Sequence, residues 1–238
     1  MIRILFLLFL LPGIAFSQDN NRLSAFAAYT DLRLGSIERT LEVVASTRAA
    51  KSGKWNETRN LLESYEQSEK GIALWYMLPD GRYYTVDKGP MGMKLSDRDY
   101  FPDLVSGRKV VGALVVSKST GRRSAVIAVP VERAGKTVGA VGASVFLDTL
   151  AEQIGEMLSL GKGASFFALV PDGRTALHSK TDRHFLDPRE LGSETLKKAA
   201  EEMLARDSGE VSYVYDNASK HAAFTTSKLT GWKYAITR

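Results

Sequence analysis

Leu23, Phe26, Thr30, Leu34, Ile37, Leu41 and Val44 recur at steps of three and four near the start of the chain. That spacing holds them on one helical face and predicts an amphipathic helix over about 21–50. At 1.5 Å per residue this is a rod of about 45 Å, longer than a small domain is wide. Ser52-Gly53 breaks it. A second helix, over about 55–69 with Trp55, Leu62 and Tyr65, stops at Gly71.

From Ile72 the period changes. Segments 72–78, 82–87, 109–117, 123–131 and 137–146 are rich in Val, Ala, Ile, Tyr and Trp and read as strands. The separators Pro79-Asp80-Gly81, Ser119-Thr120-Gly121 and Ala134-Gly135-Lys136 are short, which implies antiparallel neighbours. Leu95 to Gly107 reads as a loop with a short helix, and Asp148 to Leu158 as a helix. A strand at 165–170 then leads into Pro171-Asp172-Gly173-Arg174, matching Pro79-Asp80-Gly81-Arg82. A helix through Leu196, Ala199, Ala200 and Met203 follows, then strands at 210–215, 221–227 and 232–237. The element order repeats, so the fold class is α+β: two antiparallel modules, each with helices on one side, strung on the long N-terminal helix.

The composition, 44% hydrophobic and 25% charged over 238 residues, is that of a folded globular chain. Absence of cysteine excludes disulfides, a thiol nucleophile, a cysteine zinc site and a lipidated cysteine. Arg3, the apolar run Ile4 to Leu11 and small residues at Ala15 and Ser17 describe a secretory leader cleaved after Ser17. The alternative, an uncleaved anchor, is disfavoured because the run is short and Pro12-Gly13 interrupts it. A periplasmic or secreted mature chain is expected. The formal charge of +5 is scattered among acids, without the basic stripe or motif that nucleic-acid binding requires.

These features together resemble the double Cache sensor domain, a pair of PAS-like modules on a long N-terminal helix. The resemblance rests on Leu95-Ser96-Asp97-Arg98-Asp99-Tyr100-Phe101, on Ser119-Thr120-Gly121 and on Val129-Pro130-Val131. Gly139 to Leu147 and Trp232-Lys233-Tyr234-Ala235-Ile236 complete it. After the leader at 1–17, it implies the N-terminal helices at 18–70, a membrane-distal-type module at 71–160 and a membrane-proximal-type module at 161–238. It also implies an extracytoplasmic sensor of small metabolites, of the kind carried by chemoreceptors, histidine kinases and cyclases. The chain ends at Arg238 without a second apolar span, which leads to the expectation of a free-standing form acting through a membrane receptor or kinase.

In the family, ligands sit in the distal module between its sheet and the segment corresponding to the Arg98 loop. Arg98 offers a planar fork suited to a carboxylate, Tyr100 and Phe101 aromatic walls. The first hairpin carries Trp75, Tyr76, Tyr83 and Tyr84, with Trp75 and Tyr83 as candidates to face the pocket. Gly139 and Gly142 suggest a close approach to the backbone. Arg98-Asp99-Tyr100-Phe101 fits the carboxylate-binding segment of the amino-acid-binding branch. Where that branch has Tyr and two Asp, this chain has Val115, Ser117 and Ser144. An ammonium would lack a paired charge, so a small organic anion is expected, with Ser117 and Ser144 as neutral partners. The competing interpretation pairs Arg98 with Asp97, Asp99 or Asp103 in a salt bridge.

Asp172, His178, Asp182 and His184 carry metal-capable atoms, but their spacing matches no known zinc pattern, and no metal or cofactor is expected. No nucleophile elbow, His-Glu-x-x-His or phosphate loop is present, so an enzyme is not expected. Two alternatives to ligand sensing stay open: a ligand-free interaction module that dimerises along the long helix, and a hydrolase.

Overall fold

A computed structural model of the chain describes residues 12–238, with side chains from residue 19 onward. The leader expected over 1–17 lies outside the described residues apart from the backbone of 12–17. Helix α1 spans Pro12–Ser46, a rod of about 52 Å at 1.5 Å per residue. All seven residues of the apolar stripe are buried, and Phe26, Thr30, Leu34, Ile37 and Leu41 have no exposed surface. Each large apolar side chain removed from water on that face contributes about 1.5–3 kcal/mol.

The expected single helix to residue 50 is instead broken at Thr47. Ser46 and Thr47 donate their hydroxyls to the Val43 and Val44 carbonyls, each at 2.7 Å, which competes with helix continuation. Thr47 is extended and caps α2 (Arg48–Lys51) by accepting from the Ala50 amide. After Ser52-Gly53 comes α3 (Trp55–Ser68).

The first sheet contains β1 (Ile72–Met77), β2 (Arg82–Thr85), β3 (Gly89–Lys94), β4 (Val110–Val116), β5 (Arg123–Arg133) and β6 (Lys136–Phe146). Helix α4 (Phe101–Val105) lies between β3 and β4, and α5 (Leu147–Leu158) follows β6. The order is β3-β2-β1-β6-β5-β4, every pair antiparallel. The second sheet comprises β7 (Ser165–Leu169), β8 (Thr175–His178), β9 (Ser208–Tyr215), β10 (Ala218–Thr226) and β11 (Lys233–Thr237). Its order is β8-β7-β11-β10-β9, again antiparallel, with α6 (Glu194–Ala205) between β8 and β9.

Two edge strands were not anticipated. β3 reads Gly-Pro-Met-Gly-Met-Lys, and its Pro90 is tolerable because an edge strand leaves one row of backbone groups unpaired. β8 is only four residues long.

The period-two alternation of the strands divides the molecule into three packed regions. Leu74 and Tyr76 of β1, together with Phe166, Ala168 and Val170, face a shared core built around α1. Phe26 of α1 meets Phe166 at 5.2 Å and Tyr234 at 4.9 Å between ring centroids. The opposite residues face outward. Trp75 and Met77 join Tyr83, Tyr100 and Leu104 beneath α4, and Phe167 and Leu169 join Leu196, Met203 and Tyr213 beneath α6. Helices therefore cover both faces of each sheet, not one face as the sequence suggested.

The repeated Pro-Asp-Gly-Arg segments adopt the same turn. Gly81 and Gly173 have φ of +84° and +100°, and their amides donate to Leu78 and Val170 carbonyls at 2.9 and 2.8 Å. Asp80 and Asp172 each accept from the amide and the Nε of the arginine two residues on. A second correspondence joins Ser117-Lys118-Ser119-Thr120-Gly121 to Ser227-Lys228-Leu229-Thr230-Gly231. In each, the first serine amide receives the strand-to-strand turn, donating to the Arg122 and Trp232 carbonyls at 2.9 and 2.8 Å. Ser227 also donates to Asp31 of α1 at 2.7 Å, as does Tyr234, which ties the second sheet to the rod.

Candidate ligand site

The outward face of the first sheet brings six of the seven candidate residues together. Trp75 comes from β1, Tyr83 from β2 and Ser144 from β6, while Arg98 and Tyr100 come from the loop before α4 and Ser117 from the turn after β4. Leu95, Val115, Lys118 and Ser119 complete the lining. Trp75, Tyr83, Tyr100, Ser117 and Ser144 are all buried. Phe101 is the exception. It starts α4 and packs against the same apolar cluster without lining the hollow.

The alternation of the first hairpin sorts its aromatics. Trp75 and Tyr83 face the hollow. Tyr76 faces the shared core and donates its hydroxyl to the Ala50 carbonyl at 3.1 Å, and Tyr84 stacks on Trp55 at 5.4 Å. The close approaches at the two strand glycines come from the neighbouring strand β1. A Cβ on Gly142 would lie 2.1 Å from Trp75 Cζ2, and one on Gly139 would lie 2.6 Å from the Met77 carbonyl.

Arg98 turns inward. Its Nη2 donates to the Val116 carbonyl at 2.7 Å, and its Nε is buried without a hydrogen-bond partner. The Tyr83 hydroxyl is likewise buried without a partner. The salt-bridge interpretation of Arg98 fails: Asp97 and Asp103 are engaged elsewhere, and Asp99 makes no ion pair with it. Asp97 pairs with Lys118 at 2.5 Å and Asp103 with Arg108 at 2.6 Å, and among the described residues no carboxylate pairs with Arg98. The Lys118 hydrogen bond holds the Asp97 carboxyl below the usual carboxylate range. Burial pushes the Tyr100 and Tyr83 phenols up, so both stay protonated and able to donate. Among the described residues no carboxylate lines the hollow.

The hollow is closed, where the sequence suggested an open pocket. Its volume is about 10 Å³, space for one water at most. Arg98 on Val116 and Lys118 on Asp97 and the Lys94 carbonyl strap the loop down over the Ser117 turn. Sequence patterning missed Lys118, Ser119 and Leu95. The Ser-Lys-x-Thr-Gly correspondence between residues 117 and 227 was the signal that marks this turn as a recurring element. The Ser117 hydroxyl is partly committed there, lying 3.2 Å from the Ser119 hydroxyl.

The metal-capable residues of the second module are placed differently. Asp172 is engaged by Arg174, and His178 Nδ1 accepts from the Lys180 amide at 2.9 Å. Among the described residues no group of three or more His, Asp or Glu is arranged to hold a metal ion.

A family model described as Cache domain matches residues 16–238, almost the whole described chain. The chain belongs to the Cache domain family. Methyl-accepting chemotaxis protein McpB of Bacillus subtilis (strain 168) is 28% identical over 197 residues. The match takes in 80% of this chain but only 28% of that protein's length. The ligand-binding domain of the Pseudomonas fluorescens chemoreceptor CtaA, in complex with L-serine, superposes with a TM-score of 0.77 at 17% identity. That superposition covers 95% of this chain and 98% of the other. An extracellular ligand-binding receptor from Desulfohalobium retbaense gives 0.75 at 15% identity, over 92% of this chain and 40% of that one. At such identities the likeness concerns the fold. Cache domains are extracellular sensory ligand-binding modules of signal transduction, not enzymes. Among the described residues no helix is long and apolar enough to cross a membrane.

Proposed function

We propose that this Cache module senses a small organic carboxylate in the hollow beneath Arg98. The supporting observation is the inward guanidinium. It has no acidic partner, and its buried Nε stands unpaired beside an equally unpaired Tyr83 hydroxyl. Buried polar groups are almost always satisfied, so an unsatisfied donor pair facing one hollow fits an anionic acceptor. Because nothing acidic lines the hollow, an ammonium would be buried uncompensated, and a plain carboxylate is favoured over an α-amino acid. Binding requires the Leu95–Phe101 segment to lift, exchanging the Val116 carbonyl for the ligand. The same proposal includes export by the leader at 1–17 to the periplasm or medium, and contact with a membrane receptor or kinase that reads the liganded state.

Calorimetric titration of the full chain with acetate, lactate, succinate, L-serine and L-isoleucine tests this. A carboxylate should bind and lose at least tenfold in affinity on Arg98→Ala, about 1.4 kcal/mol. Tight amino-acid binding that survives Arg98→Ala would overturn the assignment.

One observation favours a second reading, a module that pairs through α1. Leu32 and Val43 are 67% and 66% exposed on the same helix face, about three turns apart. Light scattering of the Leu32→Lys, Val43→Lys double variant distinguishes the two. A dimer that becomes a monomer supports pairing, and an unchanged mass removes it.

A further inference from the structure

The second sheet has its own hollow on its outward face, and this one is open. It encloses about 440 Å³, within the usual range of small-molecule sites. Its floor is apolar: Phe167 and Leu169 of β7, Leu196 of α6 and Tyr213 of β9, all buried and packed in one cluster. Three polar groups are set into this floor, namely the buried hydroxyls of Thr175 and Thr237 and the ring of His178. The imidazole stacks on Phe167 and accepts the Lys180 amide at Nδ1, which leaves its proton on Nε2 as a donor. Burial, with Arg183 adding to it, lowers the His178 pKa to about 4, so the ring is neutral at neutral pH.

The rim has a different character. Lys180, Arg183 and Lys220 line it against a single acid among the described residues, Asp216. Arg183 is held in place over the Tyr215 ring, 5.1 Å from its centroid, and donates to the Tyr215 hydroxyl. Asp216 lies 3.5 Å from the guanidinium, at the edge of hydrogen-bonding distance. A net positive rim above an apolar floor matches a molecule with one anionic end and one hydrophobic end.

We propose that the second module is a separate ligand site for an amphipathic monocarboxylate, an aryl or medium-chain acid whose apolar body lies on Phe167 and Leu196 and whose carboxylate meets Arg183 and its neighbouring lysines. This site is independent of the Arg98 hollow. It differs from it in being open as the structure stands, and in selecting for apolar bulk as well as charge.

The test is calorimetric titration of the full chain with phenylacetate and hexanoate, with acetate as the short control. Phenylacetate should bind and acetate should not compete with it. Arg183→Ala should weaken phenylacetate by about tenfold, the loss of one charge-assisted contact. Ala218→Trp, at a half-buried rim position, should block entry, and Arg98→Ala should leave phenylacetate affinity unchanged. Independently of any variant, the ring resonances of His178 should shift on titration and those of His221, outside the hollow, should not. Absence of phenylacetate and hexanoate binding, or binding that falls with Arg98→Ala while His178 resonances stay still, overturns the proposal.

Discussion

Replacing Asp31 by alanine tests whether the long helix is fastened to the second sheet by hydrogen bonds or only by packing. One carboxylate oxygen accepts from both the Ser227 and Tyr234 hydroxyls at 2.7 Å. Tyr234 has no exposed surface and Ser227 is 3% exposed, so neither hydroxyl can turn to solvent when the acceptor is removed. A hydrogen bond to a charged group contributes about 1.5–3 kcal/mol, and the serine also accepts amides of its own turn. Partial re-pairing of the two hydroxyls offsets some of the loss, so Asp31→Ala should cost about 3 kcal/mol. At ~2–4 °C per kcal/mol for a chain of this size, Tm should fall by roughly 6–12 °C. Urea unfolding followed by circular dichroism gives the free energy directly. Tyr234→Phe should lose less, and the double variant should fall short of additivity by about 1–2 kcal/mol because both changes remove the same bond. A cost below about 0.5 kcal/mol for Asp31→Ala, or additivity across the cycle, would show that packing alone fixes the helix.

Gly142→Ala forces a methyl against Trp75 in a strand paired on both sides, and should cost more than about 2 kcal/mol, read in a thermal melt with a change in tryptophan fluorescence. Tyr83→Phe should leave the ligand-free stability within about 1 kcal/mol and weaken carboxylate binding about tenfold, measured by calorimetry, whereas a purely structural tyrosine would show the reverse. Stability should decline as pH falls from about 6.5 towards 4, because over that window the unfolded chain takes up a proton at His178 that the folded chain, with its value near 4, refuses. His184, lowered mainly by burial, acts in the same direction, so urea midpoints of His178→Asn against pH should show a flatter but not flat profile.

The long helix was legible because its constraint is periodic: seven positions at steps of three and four, all of them buried. The Pro-Asp-Gly-Arg turns were legible because their chemistry is local. The break at Thr47 was not, since it depends on hydroxyls turning back onto Val43 and Val44 in a segment that otherwise favours helix. β3 escaped notice because Gly89, Pro90 and Gly92 describe a loop unless a neighbouring strand is known to end the sheet there. At the candidate site, the resemblance gathered residues up to 69 positions apart in sequence, from Trp75 to Ser144, and the structure brings them to one hollow. What it could not convey was the closure. Whether Arg98 reaches the Val116 carbonyl is decided by side-chain packing, which leaves no periodic trace. The open hollow of the second module was hidden for the same reason, with Phe167, Leu196 and Tyr213 each reading as ordinary core.

If ligand enters the Arg98 hollow as proposed, its shut state bears on the concentrations to which the sensory module responds. When a protein must first spend time in a rare open form, its apparent dissociation constant is the intrinsic one divided by the open fraction. If the loop stands open in about one molecule in a hundred, the midpoint of the response rises about a hundredfold. The strap of Lys118 on Asp97 then acts as a sensitivity setting that can drift by mutation while the Arg98 guanidinium, the group proposed to meet the carboxylate, stays unchanged.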